Sequence, residues 1–304
     1  MNDVFISVII TAYNRKEFLL DAIKSALKQT LPKDKYEIIV IKNFKDDLID
    51  DFMNENNIKS ILMEGTIGEF IYTGIKESKG NIISFLDDDD LFFSNKLEYV
   101  YDLFQNNSKL VYYHNLPIFI DDNNHILKKS NHSKEFNMSC ISIKKNIIDN
   151  DDVRKIFILQ DTLMYYFALE SKGKIISNKE TLTYYRFHNS VSNAIGDLES
   201  RNAHKLILFK KYLSQIETMF KTFKSKRVKK LMFNYTISLK LEIGILHKLA
   251  YINTNEKIKM TEILKYLFIF NYWDSRKFYI FKYIKLINLY ILPKKLCKFI
   301  ESLT

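Results

Sequence analysis

Ile82-Ile83-Ser84-Phe85-Leu86-Asp87-Asp88-Asp89-Asp90 is the stretch whose reading decides the fold. Five residues, four of them apolar, run as a buried strand would and then meet four consecutive carboxylates. So much like charge at a strand end packs badly unless a cation neutralises it. Aspartate oxygens are hard ligands, suited to Mg²⁺ or Mn²⁺ shared with a diphosphate. The carboxyl ends of strands are also where open α/β sheets bind ligands. The alternative is a solvated acidic turn.

Upstream of this run, Val4 to Thr11 is rich in β-branched residues and reads as a strand buried on both faces. Ala12-Tyr13-Asn14-Arg15 follows as a loop. Asn14 is placed to cap a helix over 16–29, whose apolar face is Phe18, Leu19, Ala22, Ile23, Ala26 and Leu27. Strands are predicted over 36–41 and 58–63, with a short helix over 46–54 between them. Gly65 and Gly68 open a helix that ends near Ser78, Gly80 stops it, and a strand over 81–86 delivers the acidic run. Strands alternating with helices predict an α/β fold with a mainly parallel central sheet and helices on both faces.

Downstream, a helix is expected from Ser94 to Gln105 and strands within 109–143, with Asp121-Asp122-Asn123-Asn124 as a turn. A helix from Gln160 ends at Gly173, read as its C′ glycine. Two further strands cover 174–177 and 182–187. Beyond 197 the pattern turns helical, basic and aromatic, so a boundary is placed near 195. This gives an α/β domain over 1–195, with halves 1–108 and 109–195, and a helical C-terminal region over 196–304.

The chain has 304 residues, 47% of them hydrophobic, enough for a substantial core. Its net charge of +10 suits phosphate-bearing ligands or an anionic surface. No nucleic-acid recognition module is visible, so no nucleic acid is expected as a partner. Cys140 and Cys297 have no metal-site spacing, which favours a reducing, cytoplasmic setting. A strand begins almost at once without a basic, apolar leader, so no secretory signal is expected. No stretch reaches the ~18 apolar residues of a membrane span.

Several segments together resemble a family 2 glycosyltransferase with the GT-A fold, over the first 195 residues. They are Ser7-Val8-Ile9-Ile10-Thr11-Ala12-Tyr13-Asn14-Arg15, Glu37-Ile38-Ile39-Val40, Gly74 with Lys79-Gly80, the run Phe85 to Asp90, Gln160-Asp161, and Tyr184 to Ser192. The resemblance implies transfer of a sugar from a nucleotide-diphosphate donor to a hydroxyl acceptor, with inversion at the anomeric carbon. It makes Asp87 and Asp89 the two acids of a DxD motif, with Asp89 the direct ligand of Mg²⁺ or Mn²⁺ and Asp88 beside the donor. It makes Asp161 the base that takes the acceptor proton; on local sequence alone, Asp161 also reads as a helix N-cap. Arg186 and His188 are expected on a loop over the diphosphate, His188 also completing the metal shell. Thr11, Tyr13 and Arg15 are expected at the nucleoside.

Two positions depart from the family pattern. Lys42 stands where an Asp usually contacts the base. Lysine only donates, so Asn43 is the candidate to supply the acceptor. Phe70-Ile71-Tyr72-Thr73-Gly74 stands where the family usually has Arg-Asn before a similar glycine.

In the last third, Lys277, Lys282, Lys285, Lys294 and Lys295 interleave with Tyr266, Phe268, Tyr272, Trp273, Phe278 and Tyr283. This suits either an in-plane membrane helix over 262–300 or a helical bundle with an aromatic core. The expectation is a glycosyltransferase acting on a glycan or lipid-linked acceptor, peripheral on the cytoplasmic membrane face. The alternatives are a non-catalytic binding module of the same fold, or a nucleotidyltransferase. The second is disfavoured because 12–15 lacks a glycine-rich phosphate loop.

Overall fold

Residues 4–129, 137–148, 150–187 and 197–249, with Thr261, are described by the computed structural model. The chain divides into two compact units, Met1–His188 and Asn189–Thr304. The boundary expected near 195, His188, and the 262–300 segment lie outside the described residues.

The first half of the first unit runs β1 (Ile6–Ala12), α1 (Leu19–Leu27), β2 (Tyr36–Lys42), α2 (Asp47–Glu55), β3 (Lys59–Leu62), α3 (Ile67–Glu77) and β4 (Ile82–Asp87). It continues with β5 (Leu91–Phe92), α4 (Lys96–Gln105), β6 (Leu110–Ile120), β7 (Ile126–Lys129), β8 (Ile141–Lys144), α5 (Asn150–Val153), α6 (Gln160–Glu170) and β9 (Lys174–Arg186). The strands form one sheet in the order β3-β2-β1-β4-β8-β6-β9-β5, with β7 paired to β6. β3, β2, β1 and β4 are mutually parallel, as the alternating pattern predicted. β8 turns the sheet antiparallel against both β4 and β6, and β9 lies parallel to β6.

The central strands earn their place by burial on both faces. Ile6, Val8, Ile9 and Ile10 are essentially inaccessible, as are Ile39, Val40, Ile82 and Ile83. Each such side chain contributes about 1.5–3 kcal/mol on leaving water. α1 lays Leu19, Ala22, Ile23 and Ala26 on one side of the sheet. α3 packs Phe70 over Ile39 and Ile41 on β2. Gly74 permits the close approach of α3 to β1, because a Cβ there would lie 2.5 Å from Ile9 Cγ2. In register, Thr11 pairs with both Ile41 and Asp87, and Ala12 with Lys42. The ends of β1, β2 and β4 are therefore level, so the loop at Arg15, the Lys42–Asn43 segment and the acidic run share one edge.

Four local expectations are corrected. Asn14 does not cap α1, which starts at Leu19 with no side-chain cap. It adopts φ 54°, a conformation asparagine tolerates, and donates its N–H to Asn43 Oδ1 at 2.8 Å. α3 is started by a capping box, Thr66 with Glu69, rather than by glycines. The two late strands are one 13-residue strand, β9, whose pairing with β6 resumes at Thr181 after a register shift past the polar residues 178–180. After α6 the left-handed residue is Lys172, φ 58°. Gly173 has another duty: a Cβ there would overlap Val111.

The second unit contains α7 (Leu198–Met219), capped by Asp197 accepting from Ser200 N–H at 2.8 Å, and α8 (Lys226–Leu249). Leu213, Leu239 and Ile243 form their shared apolar seam, flanked by Phe209, Tyr212 and Tyr235. Among the described residues, no helix is long and apolar enough to cross a membrane.

Candidate active site

β4 carries its chain out of the sheet at Asp87, and the turn that follows gathers the four carboxylates. Asp87, Asp89 and Asp90 each offer an oxygen, all within 4.8 Å of one another. Burial, followed by repulsion from Asp90, Asp89, Asp88 and Asp161, pushes the Asp87 pKa well above the usual carboxylate range. Burial raises Asp88 to about 6 against the opposing pull of Arg15. Burial and the Asp89 charge raise Asp90 to about 7.

The four acids are not equivalent. Asp90 is fully buried. It accepts the Arg186 N–H at 2.9 Å and Asn137 Nδ2 at 3.3 Å, and it bonds the Ser139 hydroxyl. Asp90 therefore builds the loop. Asp88 is buried and paired with Arg15 through both Nε and Nη2. The same Arg15 Nη2 reaches Asp89 Oδ2 at 2.7 Å. Asp87 and Asp89 are half-buried, at the surface of the turn. Two hard-oxygen acids held this close fit a small divalent cation.

Arg186 is corrected from the sequence expectation. It is 1% exposed, and its guanidinium braces the loop instead of facing open space. Nε donates to the Asp89 carbonyl at 2.9 Å, Nη1 to the Asp121 carbonyl at 2.7 Å and Nη2 to Asn124 Oδ1 at 2.8 Å. The group also lies 4.2 Å from the Phe18 ring centroid. It ties the acidic loop to the β6–β7 turn.

Asp161 sits in the first turn of α6. It is not the N-cap; that position belongs to Leu159, which has φ 61° and no capping side chain. Asp161 Oδ1 accepts the Thr162 N–H at 2.5 Å. Burial raises its pKa, and that hydrogen bond works in the opposite direction. Its charge is felt at Asp87, which brings the expected base and the acidic loop into one electrostatic site. It is felt too at Tyr112 on β6, whose buried hydroxyl has no hydrogen-bond partner among the described residues.

At the level end of β1 and β2, Tyr13 is 54% exposed, its ring edge-on to Phe70 at 5.9 Å. Thr11 is half-buried beside Asp87 in register. Asn43 grips the Asn14 backbone and side chain, with Nδ2 2.7 Å from Asn14 Oδ1. Lys42 turns inward: 2% exposed, it pairs with Asp50 Oδ1 at 2.7 Å and donates to the Phe44 carbonyl. The site thus brings together Arg15, Asp87, Asp88 and Asp89, with Asp161 within electrostatic reach.

Sequence reasoning missed Asn137, Ser139 and Lys96. Asn137 and Ser139 lie in an irregular stretch with no periodicity to mark them. Lys96 reads as an ordinary exposed residue of a helix start, yet it is fully buried. A lysine flanked by Phe92, Phe93 and Leu97 was the available signal.

This arrangement is a GT-A fold. Crystal structures of residues 1–349 of TarS from S. aureus are similar to it. One with UDP-GlcNAc has a TM-score of 0.53 and 16% identity, covering 86% of this chain and 78% of that one. One with UDP has a TM-score of 0.51 and 13% identity, covering 99% and 92%. The likeness is one of fold. Residues 7–167, more than half of the chain, match glycosyl transferase family 2, and the chain belongs to that family. Among its relatives are an uncharacterised glycosyltransferase of Rickettsia bellii, 37% identical over 103 residues, and the glycosyltransferase AglE of Haloferax volcanii, 33% over 92. These matches take in 32% and 28% of this chain, and 15% and 30% of the relatives' own lengths.

Proposed function

We propose that this protein transfers a sugar from a nucleotide-diphosphate donor to a hydroxyl acceptor, with inversion. The observation that carries the reading is the carboxylate cluster at the end of β4, where Asp87, Asp89 and Asp90 each offer an oxygen within 4.8 Å of the others; the charge of Asp161 on α6 adds to the rise in the Asp87 pKa. The UDP-GlcNAc and UDP in TarS structures of similar fold support a nucleotide-diphosphate donor.

Asp89 and Asp87 would hold Mg²⁺ or Mn²⁺, and His188 is kept as a further candidate ligand. Such an ion, when bound, supplies positive charge against the leaving diphosphate. Arg15, tethered by Asp88, lies where it can add a guanidinium to the same phosphates. Tyr13 offers an exposed ring for the base to stack on, with Thr11 and Asn43 beside it. Asp161 accepts the proton of the attacking hydroxyl as the new C–O bond forms. Its raised pKa makes it a stronger base than an ordinary aspartate. The acceptor we favour is a glycan or lipid-linked oligosaccharide, reached from the cytoplasmic membrane face, with 262–300 as the proposed contact. The domain division we favour is a catalytic 1–195 and a helical 196–304.

The test is a thermal-shift screen of UDP-, GDP-, CMP- and dTDP-sugars with Mn²⁺, followed by donor turnover in wild type, Asp89→Ala and Asp161→Ala. One donor should stabilise the protein. Asp89→Ala should lose donor binding, and Asp161→Ala should lose turnover while still binding donor. Equal turnover in all three proteins would end the proposal.

A further inference from the structure

We propose that Lys96 is a positioning residue for the acidic loop, acting through Ser139. It rests on the preceding reading only for what the loop is used for; the mechanical claim stands by itself.

Lys96 opens α4 and is fully buried. Its ammonium has three donors. They meet three acceptors from three separate segments: Asn115 Oδ1 on β6 at 3.0 Å, Thr183 Oγ1 on β9 at 2.8 Å, and the Ser139 carbonyl in the turn before β8. The acceptors are themselves linked. Thr183 Oγ1 also donates to the Ser139 carbonyl at 3.0 Å, and Asn115 Nδ2 to Thr183 Oγ1 at 3.0 Å. The Phe92 ring centroid lies 4.2 Å from Nζ and closes the pocket.

What distinguishes this network from a buried plug is the other side of Ser139. Its hydroxyl accepts the Asp87 N–H at 2.9 Å and bonds the Asp90 carboxylate. Both ends of the four-aspartate turn therefore hang on one side chain, whose backbone carbonyl Lys96 holds. Asn137 adds a parallel strut, accepting the Ser139 N–H at 2.6 Å and donating to Asp90. A buried ammonium is costly where an apolar chain of the same volume would fit. Here it supplies what no apolar chain can: a three-way donor that fixes Ser139, and a positive charge beneath crowded carboxylates. Burial lowers the Lys96 pKa to about 8, while Cys140 and Asp90 oppose the shift.

The experiment uses the full chain without ligand, as wild type, Lys96→Met, Ser139→Ala and the double variant. Backbone amide exchange is followed by mass spectrometry over 85–91 and, as an internal reference, over β1 and α3. In Lys96→Met and in Ser139→Ala, exchange at the acidic loop should quicken at least about 10-fold, while the reference segments keep their rates. The double variant should be no faster than the faster single variant, because both changes cut one link. Mn²⁺ affinity, titrated in the same donor-free proteins, should fall about 10–100-fold. Unchanged loop exchange in a folded Lys96→Met protein overturns the proposal, as does additivity in the double variant. If Lys96→Met does not fold, Thr183→Val takes its place. It removes the hydroxyl shared by Lys96 and Ser139, and unchanged loop exchange there is equally fatal. Wild type that fails to bind Mn²⁺ would sink the metal reading and leave the exchange result to judge Lys96.

Discussion

The ends of β4 and β2 flank β1 at the same edge of the sheet, and they handle charge in opposite ways. At the end of β4, acids are crowded together: burial and repulsion raise the proton affinity of Asp87, and burial outweighs Arg15 at Asp88. At the end of β2, Lys42 is turned inward and neutralised by Asp50 within the protein. The first end stores an electrostatic deficit that a ligand can fill. The second has closed its own deficit. The lysine at position 42 is thus absorbed into the fold, while Asp87 and Asp89 stay half-buried in their turn.

If that contrast is right, substitutions at the two ends should differ in kind. The largest effect belongs to Asp161→Asn, which should lower kcat about 10³-fold while donor affinity is kept. A parallel loss of donor binding in equilibrium titration would assign Asp161 to the donor instead. If Asp161 is the proposed base, it works ionised; burial raises its folded pKa, so kcat/KM should fall with decreasing pH through a value above the ordinary 3.8. Rate profiles with an acid limb at or below 3.8 would contradict this.

Next comes Asp89→Ala, for which Mn²⁺ affinity should drop more than about 100-fold, beyond the effect of supporting residues. Calorimetric titration decides it, and a near-normal affinity would show the acidic turn to be merely solvated. At the β2 end the effects should be on stability. Asp50→Ala leaves the Lys42 ammonium buried without its carboxylate and should cost about 2 kcal/mol in urea unfolding. The smallest effect is expected of Lys42→Met combined with Asp50→Leu, because an apolar pair can replace a buried ion pair with little loss. Donor KM in that variant should stay within about threefold of wild type. A large rise would make Lys42 part of the donor site and erase the contrast.

The parallel half of the sheet was legible because its strands are short, apolar and separated by helices with clear periodicity. The acidic run was legible for the same reason: four identical charges after a buried strand have few physical explanations. What the run could not disclose was its division of labour. Asp90 differs from Asp89 only through Arg186, Asn137 and Ser139, which lie 96, 47 and 49 residues away in sequence from Asp90. Arg186 was read as a phosphate ligand because a guanidinium suits phosphate; two of its three acceptors are backbone carbonyls, which leave no trace in sequence. Asn14 was read as a cap because asparagine favours caps, but it favours left-handed turns as well, and the partner that decided between them, Asn43, lies just past the end of β2. The capping box at Thr66 and Glu69 was present in the sequence and was overshadowed by the glycines on either side.

The grip of Arg186 on Asp121 and Asn124 has a practical corollary. Tips of strand pairs are ordinarily the safest places to insert a tag or a loop. Here the tip between β6 and β7 is fastened through a buried guanidinium to the backbone of Asp89. Lengthening it would take acceptors from a buried cation and slacken the turn that presents the acids. For anyone re-engineering this enzyme, that outer bend has to be treated as interior.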